Sequence, residues 1–252
     1  MAEEISGKGD PVRTLALLWG RAAPPKRGPK PKASLTEIVD AAVRVADAEG
    51  LDAVSTRRIA DEVGISAMSL YTYVPSKHEL LDLMLDHIAA EIADGRNGDW
   101  RARLSTIAHS IFDWCVRHPW VLSFATHRPV LGPNTLASYE NMLAAVDGLG
   151  LGEIEMDRVV TLVSDYVHGA VRGAARERIV KEVTGMTDEE WWRRVEPALE
   201  TIDFSPYPVS SRVGPVTGEA YGAHDPTGAF TFGLARLLDG LELFIASKKK
   251  RR

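Results

Sequence analysis

Residues 55–77 read STRRIADEVGISAMSLYTYVPSK, two short helical stretches joined at Gly64. Ala60 is small enough to let two helices cross closely. Gly64 supplies the positive φ a tight turn requires, and Leu70 plugs the second helix into the first. Two helices joined in this way form the arrangement that lays a helix in a DNA major groove. The face left over is short and rich in hydroxyls: Ala67, Met68, Ser69, Tyr71, Thr72 and Tyr73. Such a face suits phosphates and base edges. An ordinary pair of packed helices is the alternative, and the flanking sequence weighs against it.

Those flanks supply the rest of a small helical unit. Ser34 with Glu37 forms a capping box, apolar residues recur at Ile38, Ala41, Ala42, Val45 and Ala46, and Gly50 ends the helix. Ser55 or Thr56 caps the next helix and Ser66 the one after it. Pro75 stops that helix, and Ser76 with Glu79 predicts a second capping box. The helix that follows offers Leu81, Met84, Leu85, Ile88 and Ile92 to a core.

Further helices are predicted over 100–117, 120–126, 134–149, 157–181, 188–202 and 229–247. Residues 204–228, with Pro206, Pro208, Pro215 and Pro226, read as a loop. Residues 12–19 predict no more than a marginal helical turn, followed by the proline-broken stretch AAPPKRGPKPKAS. No strand pattern or internal repeat stands out. The fold class is therefore all-α: an N-terminal helix-turn-helix DNA-binding domain of three helices plus an α-helical ligand-binding and dimerisation domain. The predicted divisions are a flexible basic arm over 1–33, the DNA-binding domain over 34–80, the ligand-binding and dimerisation domain over 81–247, and a basic tail over 248–252.

A formal charge of −5 looks wrong for a DNA binder until its distribution is considered. Lys26, Arg27, Lys30 and Lys32 form an arm with no acid among them, and Lys248, Lys249, Lys250, Arg251 and Arg252 end the sequence. With those nine set aside from 30 bases, 21 face 35 acids and the remainder stands at −14. Affinity for nucleic acid must then be local, which suits a reader of specific sites better than a general coating protein. The C-terminal run reads first as a solvated tail.

At 252 residues, 45% hydrophobic and 26% charged, the chain has the make-up of a soluble globular protein. No apolar run approaches the ~18 residues of a membrane helix, and the N-terminus lacks a basic-then-apolar signal. A cytoplasmic location without membrane contact is expected. The one cysteine, Cys115, has no partner for a disulfide or a cysteine-based metal site.

The segment TRRIADEVGISAMSLYTYVPSKHELLDLMLD resembles the DNA-binding part of the TetR family of transcriptional repressors. HPW at 118–120, RPVLGP at 128–133 and the terminal FGLARLLDGLELFI resemble the ligand-binding half of its tetracycline-repressor branch. The resemblance covers about residues 34–246, more strongly in the first half. It implies a homodimer that binds a double-stranded DNA operator and is released when an unidentified small-molecule inducer moves the helix after the reading head. By the same resemblance Thr56 and Arg57 open a helix against DNA, and Ala67, Met68 and Ser69 sit at the groove. Tyr71, Thr72 and Tyr73 complete that face, the tyrosines touching phosphates, and Lys77 anchors another phosphate. Core packing is the plain alternative for either tyrosine. Arg27, Lys30 and Lys32 belong to an arm similar to those that enter a minor groove. Arg57 independently suits a guanine or a phosphate as an exposed guanidinium.

Tetracycline-binding members hold an antibiotic–magnesium complex with a histidine and a glutamate. Here those places carry Phe124 or Ala125 and Gly173 or its neighbours, so tetracycline–magnesium is not expected and no cofactor is implied. Helical faces and the resemblance together nominate Ile107, Ile111, Trp114, Phe124, His127 and Arg128 for an apolar effector pocket. Tyr139, Met142, Asp165, Tyr166 and His168 complete that set, with core packing the alternative for Trp114 and Tyr139.

His109 and Asp113 share a helix face but lack a third metal ligand, so no metal site is expected. Cys115 and His118 sit among Trp114, Val116 and Trp120 and read as packing, so no catalytic residue is expected and the protein is not expected to be an enzyme. The small residues of 157–181 and the apolar last helix predict a four-helix interface between two copies. Two-fold symmetry then predicts a near-palindromic operator and reading heads about 34–36 Å apart. An activator or an architectural DNA-binding protein of the same fold remains the alternative, because either needs the same reading head.

Overall fold

Ser34 decides where the first long helix begins: its hydroxyl accepts from Glu37 N, while the Glu37 carboxylate accepts from Ser34 N. The computed structural model describes residues 4–5, 8–21, 33–125, 128–222 and 224–249. Among them, α1 (Pro11–Leu18) precedes α2 (Leu35–Glu49), α3 (Thr56–Glu62), α4 (Ala67–Tyr73) and α5 (Lys77–Ala89). The C-terminal half comprises α6 (Trp100–Arg117), α7 (Pro133–Val146), α8 (Glu153–Thr184), α9 (Asp188–Leu199), α10 (Pro208–Tyr221) and α11 (Pro226–Lys249). The all-α class holds, with one addition that no pattern announced. Strands β1 (Glu4–Ile5) and β2 (Phe124–Ala125) pair in parallel, Glu4 opposite Phe124.

Ile38, Leu70, Met84 and Ile107 belong to one hydrophobic core that runs on into the α8–α11 layer through Val163 and Leu238. Helix α5 lies at its centre, packing on α1, α2 and α7. The side chains at Leu80, Leu81, Met84 and Ile88 are fully buried there. Ile92, predicted on the same helix, lies past its end at Ala89 and packs against the core from outside it.

Three local expectations are corrected. Residues 12–19 are not a marginal turn in a flexible arm: α1 is capped by Asp10, whose carboxylate accepts from Val12 N and Arg13 N. It buries Thr14 and Leu17 against α5, and Trp19 Nε1 donates to Leu131 O at 2.9 Å. Isolated, eight residues are too few to hold a helix, so the tertiary contacts make it. Arg27, Lys30 and Lys32 lie outside the described residues.

The second capping box does not close. Ser76 Oγ accepts from His78 N and bonds to the Glu79 carboxylate, which turns inward and accepts from Asp10 N at 3.2 Å. Burial beside α1 outweighs the local box, and a Cβ at Gly9 would come within 2.7 Å of Glu79 Oε1. Finally, the stretch read as a loop at 204–228 contains α10. Pro208 stands in its first turn, where a missing N–H costs nothing, and Pro215 is carried inside it.

Candidate nucleic-acid interface

The turn between α3 and α4 is held as the spacing predicts. Gly64 has φ +69°, Ile65 N donates to Ala60 O at 3.0 Å, and Ala60 and Leu70 are buried at the crossing. Ser55 caps α3 through Arg58 N, and Ser66 caps α4 through Ser69 N. With its inner side anchored by Leu70, α4 turns Met68, Ser69, Tyr71 and Thr72 to solvent; Met68 is 79% exposed. Ala67 and Tyr73 are half-buried and pack against the core, so Tyr73 is less accessible than Tyr71.

The opening of α3 joins this surface. Thr56 Oγ1 lies 3.2 Å from the Tyr71 hydroxyl, and Arg57 is exposed beside it. The neighbouring Arg58 is engaged by Glu49 at 2.8 Å and by Glu62, an arrangement that holds α3 to the end of α2. Lys77, first residue of α5, is half-buried with Nζ 3.4 Å from Leu51 O. Thr56, Arg57, Met68, Ser69, Tyr71 and Thr72 are therefore brought onto one face, with two guanidinium-sized neighbours of opposite assignment: one tied down, one presented.

The effector candidates are not gathered round one cavity. Ile107, Ile111, Trp114 and Met142 are core residues, and Trp114 Nε1 donates to Ile88 O across the α5–α6 contact. Tyr139 is exposed and bonds Asp157 at 2.7 Å, which raises its hydroxyl pKa. Arg128 is exposed; His127 and the Phe124 side chain lie outside the described residues. Asp165 and Tyr166 do line a cavity of about 1070 Å³ between α8 and α11, beside Phe230 and Phe232. His168, half-buried on the same helix, has its pKa pushed down by burial.

A second cavity of about 490 Å³ lies along α6 between Ser105 and Arg117 and takes in His109, Asp113 and the effector candidate Trp114. His109 Nδ1 is engaged by Ser105 O, and among the described residues no group of three metal-ligating side chains forms. Burial pushes the Cys115 thiol up to about 12, and His118 faces Asp47 instead of the sulfur, so the two make no nucleophile–base pair. Among the described residues, no helix is long and apolar enough to cross a membrane.

Residues that join the two halves were not legible as such. Asp86 on α5 is 4% exposed and accepts from Asn134 N at 3.1 Å and Thr135 N at 2.9 Å, as well as from the Thr135 hydroxyl. It thereby caps α7 directly behind the RPVLGP segment, where a partial positive charge gathers. A Cβ at Gly132 would collide with this carboxylate. The available signal was an acid stripe, Glu79, Asp82 and Asp86, on the otherwise apolar face of α5.

Fold and face together define a helix-turn-helix DNA-binding regulator with an all-α partner domain. Comparison with known families agrees: residues 38–84 match the bacterial regulatory proteins of the tetR family, and residues 93–245 match the tetracyclin repressor-like C-terminal domain. The chain belongs to the TetR family. It is 42% identical over 250 residues to the HTH-type transcriptional repressor DrrR1 of Streptomyces coeruleorubidus, covering 98% of this chain and 91% of that one. An HTH-type transcriptional regulator of Saccharopolyspora erythraea is 35% identical over 144 residues, covering 56% of this chain and 61% of its own. Among solved structures, ActR of Streptomyces coelicolor in complex with (S)-DNPA superposes with a TM-score of 0.67 at 24% identity, covering 84% of this chain and 98% of that one.

Proposed function

We propose that the protein is a homodimeric repressor that reads a near-palindromic DNA operator and is released by a small-molecule inducer bound in its C-terminal domain. The observation that carries this reading is the hydroxyl-rich face made by α4 and the start of α3, held outward by the buried Leu70. Tyr71, Thr72, Ser69 and Thr56 contact phosphates or base edges there, and Arg57 supplies the charge. Lys77 adds a phosphate contact at its border, and the basic residues Arg27, Lys30 and Lys32 add charge that attracts the phosphate backbone.

Dimerisation is supported by surfaces that the single chain leaves open. On α11, Phe232 and Leu243 are 65% and 75% exposed, and on α8 Leu162, Gly169 and Gly173 form an exposed stripe of apolar and small residues. Helices α9 and α10 bury no residue, although Trp191, Trp192, Val209 and Val216 are exposed on them. Such an apolar surface is a partner's surface. Two heads on one two-fold axis then meet successive major grooves about 34–36 Å apart.

Release follows from coupling between the effector domain and α5, which belongs to both halves and is pinned to α7 through Asp86. An inducer that prefers the DNA-incompetent arrangement by about 1–3 kcal/mol relieves operator binding 5- to 150-fold. The division into a reading head over 34–80 and an effector domain over 81–247 is a functional one, since α5 runs through the boundary. The experiment is selection of bound fragments from random and genomic DNA at ~0.15 M salt. An enriched palindrome with half-sites about one helical turn apart supports the reading. Retention without any shared motif removes the specific-operator claim.

A further inference from the structure

His118 stands at the end of α6, only 3% exposed, with both ring nitrogens facing carboxylates. Nδ1 is 2.8 Å from Asp47 Oδ1 and Nε2 is 3.3 Å from Glu91 Oε2. Asp47 belongs to α2, the first helix of the reading head, whereas His118 belongs to the effector domain. The same Asp47 oxygen accepts from Trp120 Nε1 at 2.8 Å, and Glu91 also pairs with Arg117. The indoles of Trp114 and Trp120 stand edge-on to the imidazole at 6.4 and 6.3 Å. Pro119 ends α6 at this point, so the ring sits on a turn with little freedom.

We propose that His118 is a positioning residue for DNA reading: it pins α2, and with it the reading helix α4, to the end of α6. The head is joined to the effector domain through α5 and a shared apolar core, and this polar contact lies some 30 residues further along the chain. Apolar packing tolerates small rotations. A hydrogen-bonded anchor narrows them and fixes the direction in which α4 is presented. The ring presents one nitrogen to each acid, which an apolar contact of the same size could not do. Removing it takes from Asp47 and Glu91 the one group they share, leaving Asp47 with Trp120 on its side and Glu91 with Arg117 on the other, so that nothing polar among the described residues ties α2 to the carboxylate beyond α5.

This inference rests on reading α2–α4 as the DNA-binding head, and two measurements keep the two claims apart. Exposed Asp61 on α3 and Glu140 on α7 are changed to cysteine and spin-labelled, and labelled chains are diluted into excess unlabelled protein so that only the distance within one chain is read. Buried Cys115 takes no label. The native sequence otherwise gives one narrow distance. His118→Phe keeps the ring volume but neither hydrogen bond, and should broaden or shift that distance. Trp120→Phe, which keeps His118 and loses the N–H to Asp47 with part of the buried ring, should do so to a smaller degree and guards against a variant that fails to fold.

Affinity for a selected operator fragment should fall at least about 5-fold in unlabelled His118→Phe. An unchanged distance in both variants overturns the pin. A broadened distance with unchanged affinity overturns its role in DNA reading. If the native protein selects no fragment, the operator reading fails, and the pin stands or falls on the distance alone.

Discussion

The Tyr71 hydroxyl lies 3.2 Å from Thr56 Oγ1, which ties the exposed edge of α4 to the first residue of α3. Each group thereby holds the other at the surface in one orientation, and the hydroxyl that accepts in this pair keeps its own hydrogen for an acceptor such as a phosphate oxygen. Fixing two rotamers before DNA arrives reduces the ordering cost of binding.

Tyr71→Phe removes that hydroxyl without disturbing Leu70 behind it. A hydrogen bond to a charged phosphate contributes about 1.5 kcal/mol, so operator affinity should fall roughly tenfold. Binding isotherms on the selected fragment measure it, with circular dichroism as the control for helix content. Unchanged affinity would take Tyr71 off the interface.

Asp86→Ala strips the cap from α7 and leaves the half-buried amides of Asn134 and Thr135 unpaired. Leaving such groups unsatisfied costs about 3 kcal/mol in total, read as a lower urea midpoint at constant slope. Gly132→Ala should destabilise the same junction by collision with Asp86. If both variants unfold at the native midpoint, the α5–α7 junction is not a stabilising contact.

Leu243→Arg places a charge on the exposed face of α11 while leaving the inward row of Leu234, Leu238 and Leu241 intact. Sedimentation should show monomers with native helix content. A dimer that survives the substitution puts the interface elsewhere. Leu237, half-buried against the core, is the poorer site for this test because its replacement also disturbs folding.

His168 provides a pH signature. Burial lowers its pKa below the ordinary value of 6.5, so the unfolded chain binds the proton more readily than the folded one. Its contribution to stability is complete above about 6.5 and is lost as pH falls from there through the lowered folded value. Urea midpoints of the native protein and of His168→Gln between pH 7.5 and pH 5 should show the smaller decline in the variant. Parallel declines would mean that the ring is solvated.

Much of the reading head could be taken from residue types and spacing. Ser34, Ser55 and Ser66 cap the helices they precede because capping is a contact within one turn. Gly64 takes its positive φ because a neighbouring pair of helices demands it locally. Even the inward Leu70 follows from helical period alone. Fold class, the order of helices in the head and the face that α4 presents thus follow from contacts within a few residues.

The remaining features depend on groups far apart in the chain, which only packing brings together. Glu79 had a local capping role available and gave it up for Asp10, because docking α1 buries apolar surface that a capping box cannot match. Asp86 reads as a solvated helix acid until α7 begins at its carboxylate. Asp47 and His118 are 71 positions apart, and nothing in either neighbourhood names the other. The effector candidates were chosen from helical faces, but a face shows only that a side chain turns inward. Whether it meets a cavity or another side chain is settled by how the helices pack, which for Ile107 and Met142 left no space.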